Sequence, residues 1–211
     1  MSSSPDLPPN TPKTDPGDLV PLGIAVEGGL AILAIVGGWL FGVDVVEQLR
    51  FEVGWDATYL TKLAGLSILG VVPMLALLWM IESLSWAPVA RLREFSHETL
   101  VPMFAEVPIA GLLVISCAAG FGEELLFRGL MQNVFVEWMP VWMAIVLAAG
   151  VFGAMHYLTL TYACLATLMG CYLGILYLAT DQIWVPIISH AVYDFVALCY
   201  MRQKPPLPTE P

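Results

Sequence analysis

Runs of about twenty mostly apolar residues recur along the chain, the length an α-helix needs to cross the hydrocarbon core of a bilayer. Leu22 to Gly42, Leu63 to Ile81, Val107 onward, Trp138 to Met155, Leu158 to Thr180 and Ile183 to Met201 all fit. Inside a bilayer every backbone polar group must be satisfied within the protein, so the runs predict helices. The expected fold is all-α, a polytopic transmembrane bundle of about six spans. Pro73 within the second run predicts a kink, which a bundle tolerates when neighbours serve the freed carbonyl. Composition agrees: 12% of residues are charged, against about a quarter in soluble domains.

The segment from Ser83 to Ala105 mixes Trp86, Arg91, Arg93, Glu94, His97 and Glu98 with Phe95, Leu100 and Phe104, and reads as an amphipathic piece at the interface. Residues 1–21 hold six of the sixteen prolines and read as a disordered Pro/Ser-rich tail, 22–204 as one transmembrane bundle, and 205–211 as a short tail. The start lacks the basic residues of a secretory signal peptide, so the first run is read as a retained span. Six spans place both termini on one side with Lys13, Arg91, Arg93, Arg202 and Lys204, against Arg50 and Lys62 opposite. The positive-inside rule makes that side cytoplasmic.

The net charge of -10 gives no footprint for a nucleic-acid backbone. Cys117, Cys164, Cys171 and Cys199 form no CxxC pair and read as small buried hydrophobes. Gly38 with Gly42, and Gly170 with Gly174, give spacings that let helices approach closely.

Ionisable groups within spans are costly and mark functional sites. Here they are Glu123, Glu124, Arg128, His156, His190 and Asp194. Glu124 and Arg128 are four apart in the order that favours a pair on one helix face. Glu123 is rotated about 100° from Glu124 and points elsewhere. Phe152 with His156, and His190 with Asp194, are also i,i+4, so three helices can converge on one polar pocket. Glu27, His97, Glu106 and Asp181 read as interfacial or solvated.

A carboxylate, two imidazoles and an Asp can move protons to and from water and stabilise a developing oxyanion, the equipment of a hydrolase. Glu123, His156 and His190 are equally a common ligand set for a divalent metal such as zinc, and the spacing does not separate the two readings. Neither an HExxH helix nor a GxSxG elbow is present.

Glu123-Glu124-Leu125-Leu126-Phe127-Arg128 resembles the EExxxR motif of the CPBP family, the membrane CAAX proteases and bacteriocin-processing enzymes also called Abi. Phe152 to His156 resembles its FxxxH motif, and His190 to Asp194 its closing HxxxN or HxxxD, all in family order within 120–195. The resemblance implies an intramembrane endopeptidase, akin to CAAX prenyl protease 2, acting on membrane-associated or prenylated proteins and peptides. In it Glu123 and His156 activate water, while His190 and Asp194 stabilise the oxyanion, with Glu124, Arg128 and Phe152 in support. An ionised Asp cannot donate to an oxyanion, so Asp194 is expected to orient His190 or complete a metal site. The alternatives are a proton-coupled carrier and a non-catalytic scaffold or self-immunity protein. The substrate and the oligomeric state have no signature here.

One strain accompanies the shared pocket. His156 lies about eighteen residues into its span and His190 about seven into a parallel one, a depth mismatch of roughly 16 Å. Either the fourth helix starts outside the hydrocarbon, or the stretch near Trp184 and Pro186 dips inward.

Overall fold

The computed structural model describes residues 16–50 and 56–203. Residues 205–211, Lys13, Lys204 and most of the expected N-terminal tail lie outside the described residues. In chain order the helices are α1 (Pro16–Phe41), α2 (Ala57–Ser83), α3 (Ala87–Phe95), α4 (Val101–Phe104), α5 (Ile109–Glu124), α6 (Asn133–Val136), α7 (Val141–Met155), α8 (Leu160–Thr180) and α9 (Trp184–Arg202). π-Helical stretches over Ser96–Leu100 and Leu125–Gln132 join α3 to α4 and α5 to α6. No strand occurs among the described residues.

Local chemistry sets the boundaries. Asp56 caps α2 by accepting from the Tyr59 N–H at 2.6 Å, and Thr159 caps α8 by accepting from the Tyr162 N–H at 3.1 Å. Pro108 and Pro140, with extended ψ, immediately precede α5 and α7. Asp181 ends α8 in the left-handed region at φ 49°. Pro73 does not break α2, which runs continuously past it. Near it, backbone carbonyls of Ser67 and Gly70 accept from Ser189 Oγ at 3.0 Å and Tyr172 Oη at 2.8 Å.

Among the described residues five helices are long and apolar enough to cross a membrane: Asp18–Phe41, Ala57–Ser83, Ile109–Val136, Leu160–Thr180 and Trp184–Arg202. The run expected as a fourth full span folds instead as α7, fifteen residues long. At 1.5 Å per residue that is about 22 Å, short of a hydrocarbon core of about 30 Å. The six expected spans are therefore five and a shorter helix that stops at His156.

The Ile109–Val136 rod is the centre of the bundle, with 56% of its most apolar stretch buried against 11% for the first span. α5 lies between α1 and α9, α2 packs on the other side of α9, and α7 lies along α8. Trp39, Trp79, Trp138 and Trp142 point outward. The cysteines, expected inside, also sit at the periphery: Cys117 and Cys164 are exposed, Cys171 and Cys199 half-buried. A thiol on an outward helix face is as comfortable against lipid as in a core, so apolar context alone does not tell the two apart.

The segment expected at the interface forms α3, the first π-helical stretch and α4, with Val89, Leu92 and Val101 buried and Arg91, Glu94 and Glu98 exposed. Arg93 Nη1 reaches back to the Ile81 and Glu82 carbonyls at 3.0 and 2.6 Å, serving the open C-terminal end of α2. The depth mismatch is resolved at the start of α9. Ile183, Val185 and Pro186 are buried, and Trp184 Nε1 donates to the Leu49 carbonyl at 3.1 Å. α9 thus begins inside the protein beneath the 43–50 segment, so His190 starts deep.

Candidate active site

Glu123 and Glu124 end α5 just where the helix widens into its π-helical stretch. π-Bulges free backbone groups and recur at functional sites. Here the carbonyls of Arg128 and Gly129 accept from Asn133 Nδ2 at 2.8 and 3.0 Å, and Gly129 also from Gln48 Nε2 at 3.0 Å. The widened turn is held by side chains in place of a regular ladder.

Arg128 is buried and doubly bound: Nη1 donates to Glu124 Oε1 at 2.6 Å and Nη2 to the Gly170 carbonyl at 2.7 Å. One turn on, Gln132 Nε2 donates to the Gly174 carbonyl at 3.3 Å. The expected close-approach glycines serve two purposes. They expose carbonyls of α8 to the rod, and at Gly170 a side chain would stand 3.0 Å from Ala149 Cβ of α7.

The two imidazoles meet one carboxylate. Glu123 Oε1 lies 3.6 Å from His156 Nε2, and Oε2 lies 3.8 Å from His190 Nε2. The far nitrogen of each ring is anchored elsewhere. His156 Nδ1 is 2.9 Å from the Phe152 carbonyl, which can only accept, so Nδ1 carries the proton and Nε2 presents a lone pair toward Glu123. His190 Nδ1 donates to Glu124 Oε1 at 2.8 Å, the oxygen that also takes Arg128. Asp194 Oδ2 lies 3.5 Å from His190 Nε2, the nitrogen that faces Glu123. Orientation of His190 therefore falls to Glu124, and Asp194 stands on the reacting side of the ring, not behind it.

Phe152 ties these groups together. Its ring stacks on His156 at 4.4 Å between centroids, meets His190 edge-on at 6.0 Å, and carries the Arg128 guanidinium at 5.1 Å. A cavity of about 480 Å³ between α2, α3, α8 and α9 reaches the site. Side chains such as Met74, Leu77, Met103 and Met169 line its length, and His156, His190, Tyr162 and Asp194 stand among them.

All seven residues expected at the site come together. Among the described residues, however, no group of three or more His, Cys, Asp or Glu is arranged to hold a metal ion. Glu106 and Asp181 are exposed as expected. Glu27 is not: it is half-buried, its Oε2 is shielded without a hydrogen-bond partner, and it lies within electrostatic reach of Glu123, His190 and Asp194. Its place as the one charge between Leu19 and Val43 was the available signal. Tyr162, 6.3 Å from His156 between ring centroids, had none.

Residues 105–196 match the family described as Rce1-like, type II CAAX prenyl endopeptidase. The matched segment carries all three motifs. A curated relative, the uncharacterized protein YpbD of Bacillus subtilis (strain 168), is 28% identical over 103 residues, 47% of this chain. The match covers 50% of YpbD, so the chain spans about half the length of the curated relative. No solved structure matches. The matched segment takes in α5 through most of α9 and hence Glu123, His156, His190 and Asp194, but not α1 to α4.

Proposed function

We propose that this protein is an intramembrane endopeptidase that cuts membrane-associated or lipidated peptides with water activated by Glu123. The observation that carries the reading is the single carboxylate facing the Nε2 atoms of two imidazoles whose other nitrogens are tied back. Separations of 3.6 and 3.8 Å are longer than a direct hydrogen bond, so neither ring takes up the Glu123 oxygens that face it. The water gives a proton to Glu123 as its oxygen attacks the peptide carbonyl carbon. His190 Nε2 bears a proton only as the imidazolium, and in that form it donates to the oxyanion. Collapse breaks the C–N bond, and the proton held by Glu123 passes to the leaving amine, giving a carboxylate and an amine. His156 Nε2, whose lone pair faces Glu123, steadies that carboxyl once it holds the proton. These steps use the side chains alone.

The apolar cavity suits a lipid-modified or strongly apolar substrate, which brings its own membrane anchorage. In this reading both termini lie in the cytoplasm, on the side richer in basic residues. The test is cleavage of membrane-anchored peptides, prenylated and plain, by the purified protein in vesicles, with and without a chelator. We expect cutting at a defined bond that His190→Ala abolishes and the chelator spares. Cutting that a chelator abolishes and zinc restores would replace the Glu-based chemistry by a metal-based one. Cutting that survives His190→Ala would remove the site from the account.

A further inference from the structure

α1 lies outside the matched segment, yet it delivers a carboxylate to the site. It is apolar from Leu19 to Val43 except for Glu27. Glu27 stands nine residues beyond Asp18, about 14 Å along the helix, too deep to be solvated at the surface. An acid at that depth is expensive unless it faces the interior and has work there.

The helix contact fixes where it points. α1 crosses α5 at Gly122, where an added side chain would strike the Glu27 backbone, with its carbonyl carbon at 2.9 Å and its Cα at 3.2 Å. Gly122 immediately precedes Glu123, so the absent side chain sets two glutamates on adjoining backbone. Glu27 Oε2 and Glu123 Oε2 are both shielded, and neither has a hydrogen-bond partner among the described residues. Two unserved acceptors beside two imidazoles are what a water molecule with two protons can satisfy. A purely structural Glu27 would bridge to Arg128 or cap a helix, but Arg128 is committed to Glu124 and Gly170, and Glu27 is mid-helix.

We propose that Glu27 is a further catalytic residue, the second carboxylate that holds the attacking water, a role that rests on the peptidase reading above. Glu123 takes one proton of the water while Glu27 accepts a hydrogen bond from the other. The oxygen lone pair is thereby aimed at the scissile carbonyl. Glu27 does not bind the peptide, so its loss slows turnover and leaves substrate affinity alone.

The experiment measures kcat and KM on a cleaved membrane peptide for wild type, Glu27→Leu, Glu27→Gln and, alongside, Glu123→Gln. With Glu27→Leu the expected fall in kcat is about 100-fold at unchanged KM, the scale of a misplaced reactant. Glu27→Gln keeps an acceptor oxygen and falls less, and because it is nearly isosteric it decides the matter if Glu27→Leu does not fold. Wild-type kcat in both Glu27 variants, or a raised KM at unchanged kcat, would overturn the role of Glu27 alone when Glu123→Gln is dead. Cleavage that persists in Glu123→Gln would overturn the peptidase reading beneath it.

Discussion

One oxygen, Glu124 Oε1, receives both His190 Nδ1 at 2.8 Å and Arg128 Nη1 at 2.6 Å. An i,i+4 pair on one helix is thereby welded to an imidazole on another, 66 residues on. The buried arginine neutralises the carboxylate, and the carboxylate fixes which nitrogen of His190 carries the proton. Structural bridge and functional support are the same contact.

Glu124→Leu strands the Arg128 guanidinium without its counter-ion, in a site where its exposure is 2%. Breaking a buried pair from one side costs about 3–5 kcal/mol. Thermal unfolding in detergent should show the loss directly. Glu124→Gln keeps the shape and should fold, but it weakens the hold on His190, and peptide cleavage should fall by about 100-fold.

Gly170→Ala should loosen the bundle and Gly150→Ala should not. A Cβ on Gly170 meets Ala149 Cα at 3.1 Å and Phe152 Cδ1 at 3.4 Å, whereas on Gly150 it meets nothing within 4 Å. Overpacking of this kind costs about 1–3 kcal/mol. Because the displaced ring is Phe152, which stacks on His156, the Gly170 variant should lose activity beyond its loss in melting temperature. Paired melting and cleavage assays on the two variants test this.

Phe152→Ala removes a ring that touches His156, His190, Phe127 and Arg128. The expected destabilisation is about 3–5 kcal/mol, read by denaturation in mixed micelles. Phe152→Leu should recover most of the stability but little of the activity, since a leucine fills volume without a flat face for the imidazole.

Reporter fusions test the topology. A fluorescent protein at either end should fold and fluoresce, and a phosphatase that needs an oxidising compartment should stay inactive at both. An active phosphatase at one end would show that α7 fails to return the chain across the bilayer.

The helical class and the three motif positions were legible because membrane burial writes long apolar runs and leaves each charge conspicuous. Glu124 with Arg128 was legible for the same reason, as four residues on a helix is a fixed geometry. Its second partner was not, since nothing local relates residue 124 to residue 190. The length of α7 was hidden because Trp138, Met139 and Pro140 are apolar enough to extend a run yet lie before the helix starts. Glu27 was misplaced because depth along a helix says nothing about which neighbour it meets, and that was decided by a glycine on another span. The depth conflict between His156 and His190 was real for straight full-length helices, and it disappears because α9 starts buried.

The most direct test of the central claim compares peptide cleavage by the wild type and by Glu123→Gln, which keeps the size of the side chain and removes its ability to take a proton. The account predicts a loss of about 10²-fold or more in kcat, with folding and substrate binding retained. A Glu123→Gln protein that cleaves the same bond at the wild-type rate would contradict it.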